Sequence, residues 1–492
     1  MTDLYKEPFR PQYHLTPPQG PMSDPNGMVF FEGVYHQFYQ FTGRWGHAIS
    51  RDLIHWEHLP LALVSDELGD IWSGCCVVDT HDSSGLFGGK AGLVAIFTHY
   101  KDGLQSQSLA YSRDSGSSWT KYEGNPVIPN PGIRDFRDPK VLWHEPSGKW
   151  VMAVSVNKKV YFYSSSNLLA WKYESEFGEG QGSQAAVWEC PDLFLLPVDD
   201  DSGRHKWVLH VSVGDNEETD GSTAQYFVGE FDGCCFVNDD TAGEQIRWTD
   251  YGQDFYAAVT YSGIPQEDGR CIWLGWTSNW KYPFAGPTEP WKGGMSIPRS
   301  LSLRTLRDGT ITLCQKPIAE LKRLRADSLR FASIEASDQT VKLDFQGSSY
   351  ELIANIEWEK AQSFGLRVRC SEEGNEATEI GYEPGTQTVF VDRMRSGRSD
   401  FMNREGSPFH FGKRFEAPHR AADKTVKLHA FVDESVIELF VDNGETSFTA
   451  LIYPSPGSLG LELFASGGAA FFRSVDVYKL ESVWRQKNNK LG

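Results

Sequence analysis

The chain lacks the features that mark several large classes of protein. It carries 66 Asp and Glu against 47 Lys and Arg residues, a formal net charge of −19 at pH 7, which argues against nucleic-acid or anionic membrane partners. No apolar run reaches the length of a membrane span. The sequence also has no P-loop, no H-E-x-x-H pair, no G-x-S-x-G turn and no G-x-G-x-x-G followed by a helix. We therefore expect neither nucleic acid nor membrane among its partners.

The eight cysteines include no C-x-x-C pair, so neither a zinc site nor a redox motif is predicted. Cys75-Cys76 and Cys234-Cys235 are adjacent pairs, and neighbours on an extended strand point to opposite faces and bridge poorly. We expect mostly free, buried thiols, and neither a metal nor a cofactor.

Short aromatic and β-branched runs, separated by Gly, Asn, Asp and Pro, dominate the chain, whereas long amphipathic helices are scarce. Met28–Phe31, Glu32-Gly33 and Val34–Gln40 predict a tight hairpin. Further predicted strands are Leu93–Thr98, Trp150–Val156, Val160–Tyr163, Trp207–Val213 and Ile272–Trp276. The pattern predicts an all-β protein.

A weak internal repeat favours a β-propeller. Ser50-Arg51-Asp52-Leu53 leads to Trp56, Ser112-Arg113-Asp114 leads to Trp119, and Ser165-Ser166-Asn167-Leu168 leads to Trp171. Each copy follows one predicted strand and precedes another. A recurrence at roughly 50 to 60 residues is typical of four-stranded propeller blades.

The pattern of turn residues changes after Arg299, and a second domain is predicted. Ala319–Leu329 is charged and reads as a helical connector. Six strands follow it: Val341–Phe345, Ser363–Arg369, Thr388–Asp392, Val426–Val432, Ser435–Val441 and Ser458–Ala465. They favour a β-sandwich. We place the propeller at 1–318, the connector at 319–335 and the sandwich at 336–492.

Three acidic segments sit at strand–turn boundaries in different predicted blades. They are Ser23-Asp24-Pro25-Asn26-Gly27, Phe136-Arg137-Asp138-Pro139 and Trp188-Glu189-Cys190-Pro191-Asp192. Taken singly, an Asp before Pro is usually a turn residue. Together, the three supply the pair of carboxyl groups that a retaining glycosidase needs, with a third acid beside them.

These segments and several others resemble glycoside hydrolase family 32, which contains invertases, inulinases, levanases and fructosyltransferases. The resemblance covers nearly the whole chain. The further matching motifs are Pro11-Gln12-Tyr13-His14, Tyr35 to Gln40, Trp45-Gly46-His47-Ala48, Trp72-Ser73-Gly74 and Asp433 to Phe440. The resemblance implies a five-bladed propeller that carries the active site, followed by a β-sandwich.

The resemblance also implies the roles of individual residues. Asp24 is expected to be the nucleophile, Glu189 the general acid/base, and Asp138 the residue that binds fructose hydroxyls and stabilises the transition state. The residues expected to line the fructose pocket are Ser23, Gln40, Trp72, Ser73, Arg137 and Trp280. The implied substrate is a fructan or a fructo-oligosaccharide.

Two departures from the family pattern concern the reaction. Pro21-Met22-Ser23 stands where hydrolases of the family usually carry Trp-Met-Asn, and only Phe41–Arg44 remain of a longer loop before Trp45. With Ser at this position, the chain resembles several fructosyltransferases of the family. The shorter loop would form a lower wall of the fructose pocket and leave space for a second sugar. We therefore expect a levan fructotransferase that cleaves β-2,6 linkages through a fructosyl–Asp intermediate and releases a cyclic difructose dianhydride.

Two alternatives stay open. The chain is a levanase or broad β-fructofuranosidase that hydrolyses levan, inulin or sucrose, or else a sugar-binding propeller without activity. Because a levan polymer cannot cross a membrane, we expect secretion, although no signal peptide is visible after Met1. A cytoplasmic enzyme would act on small oligosaccharides instead.

Overall fold

The computed structural model describes residues 4–484, and these are built almost wholly of strands. Within them, the helical elements are two 3-10 helices, Glu145–Ser147 and Ala319–Leu324. No helix in the described part of the chain has the length and apolar character to cross a bilayer. The eight cysteines are free, and Cys75, Cys76, Cys190, Cys314 and Cys370 are buried, as predicted.

The first three blades are four-stranded antiparallel sheets whose strands follow one another in sequence. Blade 1 consists of Pro25–Phe31, Val34–Gln40, Trp45–Ser50 and Trp56–Leu63. Blade 2 consists of Asp70–Asp79, Gly92–Lys101, Leu104–Ser112 and Thr120–Lys121. Blade 3 consists of Phe136–His144, Lys149–Val156, Lys159–Ser165 and Lys172–Phe177. The predicted hairpin over residues 28–40 and the predicted strands in these blades are confirmed.

Two further blades complete a five-bladed ring, as expected. Blade 4 consists of Trp188–Val198, Asp201–Asn216, Gly221–Phe231 and Phe236–Asn238. Blade 5 consists of Tyr256–Thr260, Cys271–Trp276, Arg299–Thr305 and Ile311–Pro317. A small parallel pair, Gly20–Pro21 with Trp291–Lys292, lies outside the blades. The ring closes where Phe30 N–H donates to Ser262 O at 2.8 Å and Ser262 N–H donates to Met28 O at 3.0 Å.

The repeated Ser-x-Asp or Ser-x-Asn segments form the turn that leads to the outermost strand of blades 1 to 3. Asp52 Oδ1 accepts hydrogen bonds from the N–H groups of Ile54 and His55. Asn167 Oδ1 in blade 3 accepts the corresponding pair from Leu169 and Ala170. In each case the Asp or Asn side chain accepts hydrogen bonds from backbone N–H groups of its own turn, which explains why the repeat carries Asp or Asn at this position.

The second domain is a sandwich in which two long strands belong to both layers. One half of Gly460–Leu480 pairs with Ser363–Cys370 and the other half with Tyr350–Trp358. Its Gly467 and Gly468 adopt positive φ, which allows the strand to pass from one layer to the other. The remaining strands are Arg325–Gln346, Ala377–Glu383, Thr388–Arg395, Asp400–Met402, Pro408–His410, Arg414–Pro418, Thr425–Val432, Val436–Val441 and Thr446–Leu451.

The predicted helical connector is shorter than expected. The 3-10 helix ends at Leu324, because Arg325 already pairs with Leu480 in the long strand Arg325–Gln346. This strand runs through residue 336, at which we placed the start of the sandwich, so the domain bounds stay a prediction. Residues 1–3 and 485–492 of those ranges lie outside the described residues.

Buried ion pairs join the two domains. His14 donates to Asp433 at 2.8 Å and to Glu438 at 3.0 Å, and Arg299 donates to Glu438 at 3.0 Å and to Asp250 at 3.0 Å. Burial opposes the charge of His14, but the hydrogen bonds to the two acids raise its pKa to about 9. His14 is therefore a charged structural residue and not a metal ligand.

This network predicts a loss of stability at alkaline pH. His14 binds its proton more tightly in the folded state, so its contribution is full below its unfolded pKa of about 6.5 and is lost as pH rises through about 9. Melting temperatures measured between pH 6 and pH 10 should fall across this window. The free energy of unfolding should decrease by up to about 3 kcal/mol. In His14→Gln the protein should be less stable at pH 7 and lose this part of the slope. Equal slopes in the two proteins would contradict the prediction.

Candidate active site

The first strands of neighbouring blades contact one another around the ring and so surround its axis. Each of the five carries a register shift: between Asn26 and Val29, Ile71 and Gly74, Arg137 and Lys140, Glu189 and Asp192, and Tyr256 and Val259. A bulge bends its strand and redirects the side chains beside it. The predicted acids Asp24, Asp138 and Glu189 lie at or next to three of these bulges.

The backbone at the bulges adopts conformations that most residues avoid. Asp138 has φ 63°, Cys190 φ 46° and Ala257 φ 54°. Positive φ at non-glycine positions costs free energy and persists where surrounding contacts over-determine it. The N–H of Asp138 donates to Thr98 Oγ1 at 2.9 Å, and the N–H of Cys190 donates to Asp138 Oδ2 at 3.0 Å. Blades 3 and 4 are thus joined at the site through the Asp138 carboxylate.

Asp24 is half-buried, and its two carboxylate oxygens differ. Ser73 Oγ donates to Oδ2 at 2.9 Å, whereas Oδ1 has no hydrogen-bond partner among the described residues. Burial and then the negative charges of Glu189 and Asp138 raise the pKa of Asp24 to about 7. The three predicted acids are therefore close enough to repel one another.

Glu189 is held at both carboxylate oxygens. Arg137 donates to Oε1 from Nε at 3.2 Å and from Nη2 at 2.9 Å, and the Tyr256 hydroxyl donates to Oε2. Arg137 is in turn held by Asp135 at 2.6 Å and Gln105 at 3.3 Å. A carboxylate fixed by a forked guanidinium and a phenol has one defined orientation.

The Oδ2 of Asp138 lies 3.9 Å from Arg137 Nε, farther from the guanidinium than the carboxylate of Glu189 at 2.9 Å. Burial nevertheless outweighs the guanidinium, and together with the charge of Glu189 it raises the pKa of Asp138 to about 6. A single Arg137 therefore offsets only part of the repulsion among three carboxyl groups.

Of the remaining predicted residues, Gln40, Trp72 and Ser73 sit on strands of blades 1 and 2, whereas Ser23 and Trp280 lie in the segments beside strands. Ser73 contacts Asp24 as described. The N–H of Ser23 donates to Gln40 O at 3.2 Å, and Gln40 Nε2 donates to Ile71 O at 3.1 Å. Trp72 stacks on Tyr100 with ring centroids 4.1 Å apart. Trp280 packs on Trp276 at 4.9 Å, and Trp276 lies edge-on to Tyr256.

The shortened loop is a tight hairpin turn. Phe41 N–H donates to Arg44 O at 2.8 Å, and both Thr42 and Gly43 have positive φ, as in a two-residue hairpin turn whose twist matches its strands. Ile71 N–H donates to Gly43 O at 2.8 Å. The turn therefore packs beside the strand that carries Trp72.

Sequence reasoning missed Tyr256 and Thr98. Tyr256 opens the first strand of blade 5 and directly precedes its bulge, as Glu189 does in blade 4. Its segment, Asp254 to Ala258, is noticeable in the sequence, but only the ring places its hydroxyl against Glu189. Assigning the first strand of each of the five blades along the sequence would have pointed to Tyr256.

One group of metal-type ligands exists among the described residues, outside this site. Donor atoms of His419, Asp442 and Glu445 lie within 4.8 Å of one another on the sandwich. His419 is already hydrogen-bonded to Asp442 at 2.7 Å and to Thr446 at 3.1 Å, so the group is satisfied without an ion.

Comparison with known families matches both domains in succession. The model of the "Glycosyl hydrolases family 32 N-terminal domain" matches residues 14–317, and that of the "Glycosyl hydrolases family 32 C terminal" matches residues 320–479. Together they cover the propeller and nearly all of the sandwich.

Individual proteins are similar over almost the whole chain. A levanase of Bacillus subtilis (strain 168) is 46% identical over 98% of this chain and 72% of its own length. An extracellular exo-inulinase of Aspergillus niger is 38% identical over 98% of this chain and 96% of its own. The crystal structure of exo-inulinase from Aspergillus awamori superposes with a TM-score of 0.89 at 36% identity, covering 98% of this chain and 100% of that one.

The repulsion at the axis predicts that removing a carboxylate stabilises the fold. Because the pKa of Asp24 is raised, the folded state binds its proton more tightly, and stability falls as pH rises from about 4 through about 7. Asp24→Asn should therefore be more stable than the wild type at pH 8, by on the order of 2 kcal/mol. The difference should vanish near pH 4.

Thermal melts at pH 4, 6 and 8 check this expectation. Asp423→Asn is the control, because Asp423 is exposed on the surface and its ion pair among the described residues is with Arg307. It should change the melting temperature little at any pH. A destabilised Asp24→Asn at pH 8 would contradict the account of the site.

Proposed function

Because the chain belongs to glycosyl hydrolase family 32, we propose that it is a retaining fructan hydrolase that releases fructose from the ends of β-2,6-linked levan. Fructan hydrolysis follows from the family and its relatives; the preference for levan is supported by the 46% identity to a levanase. The observations that support the mechanism are that Arg137 contacts both Glu189 and Asp138 and that the charges of these two acids act on Asp24.

Hydrolysis is better supported than the transfer reaction that the sequence led us to expect. The similar proteins carry the names of hydrolases, levanase and exo-inulinase. The short turn at Phe41–Arg44 packs against the neighbouring strand through Gly43, a contact that is compatible with either reaction. We therefore propose a levanase instead of a levan fructotransferase.

In the first step Asp24 attacks C2 of the terminal fructose. Ser73 donates to its Oδ2 and so fixes the orientation of the attacking carboxylate. Glu189 donates a proton to the leaving oxygen as the C2–O bond breaks, so the leaving sugar departs as an alcohol.

In the second step water attacks C2 of the fructosyl–Asp24 ester. Glu189, now ionised, takes a proton from that water, and the carboxylate of Asp24 is regenerated. Asp138 lies beside both groups, where it accepts hydrogen bonds from fructose hydroxyls and favours the positive charge that develops on the ring. Arg137 and Tyr256 keep the Glu189 carboxyl aimed at the bond during both steps.

A polymeric substrate also bears on where the enzyme works. Levan cannot cross a membrane, and one similar protein is named an extracellular exo-inulinase. We therefore propose that the protein acts outside the cell.

The products released from levan test the proposal. The wild type should release free fructose from levan, and more slowly from inulin and sucrose. Asp24→Asn should lower kcat by at least about 10⁴-fold, because no other group can form the covalent intermediate. A cyclic difructose dianhydride as the main product would favour the fructotransferase instead, and full activity in Asp24→Asn would remove the enzymatic assignment.

Tyr256 supplies a second test through its hydrogen bond to Glu189. Tyr256→Phe should lower kcat on levan by about 10- to 100-fold, the value of one hydrogen bond to a charged group. The loss should be much smaller on β-fructosyl fluoride, whose leaving group needs little help from an acid. Equal losses on both substrates would show that Tyr256 does not act through Glu189.

A further inference from the structure

A hairpin of the sandwich reaches the rim of the candidate active site. We call residues 400–410 the sandwich hairpin; it contains the paired strands Asp400–Met402 and Pro408–His410. Phe409 stacks on Tyr282 of the propeller with ring centroids 5.0 Å apart and planes 8° apart. The N–H of Arg404 at the hairpin tip donates to Lys281 O at 2.9 Å. The hairpin is thus anchored to blade 5.

The hairpin tip lies a few contacts away from the expected acid/base. The guanidinium of Arg404 sits over the ring of Trp280 at 5.3 Å. Trp280 packs on Trp276, which packs edge-on to Tyr256, and Tyr256 donates to Glu189. The sandwich hairpin is thus connected to the expected acid/base through packed side chains.

A cavity of about 640 Å³ lies between the hairpin and the propeller. Trp280 and Phe284 line one wall, and Asp400, Asn403 and Arg404 line the other. Ligand sites of this size are common and combine apolar or aromatic surface with a few polar groups. Flat aromatic faces, with donors and acceptors opposite them, suit a sugar, which has C–H faces and a rim of hydroxyls.

Polar groups continue from this cavity toward Glu189. Burial raises the pKa of Asp215, the charges of Lys281 and Arg404 lower it, and that of Glu405 raises it, so the four groups share one neighbourhood. Gly214, next to Asp215, is close to Glu189: a Cβ at Gly214 would lie 4.0 Å from Oε2. Asp215 therefore follows a residue that lies beside Glu189 and is itself near Arg404, which lines the cavity.

We propose that this cavity binds the sugars on the leaving side of the bond that is cut, and that Arg404 makes the enzyme prefer longer fructans to disaccharides. The inference rests on the function proposed above. The terminal fructose occupies the axis between Asp24 and Asp138, so the rest of the chain must leave past Glu189. From Glu189, the half-buried Gly214 and the exposed Asp215 lead toward Arg404 of the sandwich hairpin. The second domain therefore completes the substrate site.

Kinetics with β-2,6-linked oligosaccharides of two to six fructose units test the inference. In Arg404→Ala, KM for chains of four or more units should rise about fivefold, the factor expected from one or two lost hydrogen bonds. The rise should shrink as the leaving group shortens to one sugar, and kcat should change little. A purely structural role would not make the effect depend on chain length.

The control is Arg330→Ala, because Arg330 is another exposed arginine of the sandwich, 71% exposed and paired with Asp476. It should leave the whole chain-length profile as it is in the wild type. Melting temperatures of both variants confirm that the domain is folded, and binding of the six-unit oligosaccharide to Asp24→Asn, with and without Arg404→Ala, gives the affinity without turnover.

The outcomes separate this inference from the proposed function. A wild type that cleaves none of these sugars overturns both. A wild type that cleaves them, with an Arg404→Ala profile that is unchanged or equally weakened at every length, overturns only the role of the cavity. A chain-length-dependent rise in KM, matched by weaker binding of the six-unit sugar, supports it.

Discussion

Three carboxyl groups held together against their mutual repulsion are the constraint on which this structure depends. Left to themselves, Asp24, Asp138 and Glu189 would separate or take up protons. Arg137 offsets part of the repulsion by contacting Glu189 and Asp138 together. The bulged first strands of the blades also hold the acids together, because their backbone geometry fixes the direction of each acidic side chain.

The ring and the sandwich hold this geometry from outside. Asp254, two residues before Tyr256, accepts hydrogen bonds from Arg393 of the sandwich at 2.6 Å and from Tyr282 at 2.7 Å. The strand that presents Tyr256 to Glu189 is therefore braced by the second domain. Buried pairs of this kind stabilise only while both partners are present, so the domains depend on each other.

The proposed chemistry uses the asymmetry of the three acids. Asp24 has one oxygen held and one without a partner, whereas Glu189 is held at both oxygens. An acid/base needs a fixed direction, which the contacts of Glu189 with Arg137 and Tyr256 provide. The same asymmetry would serve hydrolysis or transfer, so the leaving-side cavity bears on which substrates the site accepts.

The sequence by itself determined the local structure and the inventory of acids. Alternating β-branched and aromatic runs, with Gly and Asx turns, specify strands and hairpins because these signals act over a few residues. The Asp24-Pro25 segment and the repeat that contains Asp52 and Asn167 could be recognised in the sequence for the same reason. Only the tertiary structure decided that Tyr256 meets Glu189 and that Arg404 reaches Trp280. Those contacts join residues far apart in the chain, and ring closure and domain docking, which no local pattern encodes, bring them together.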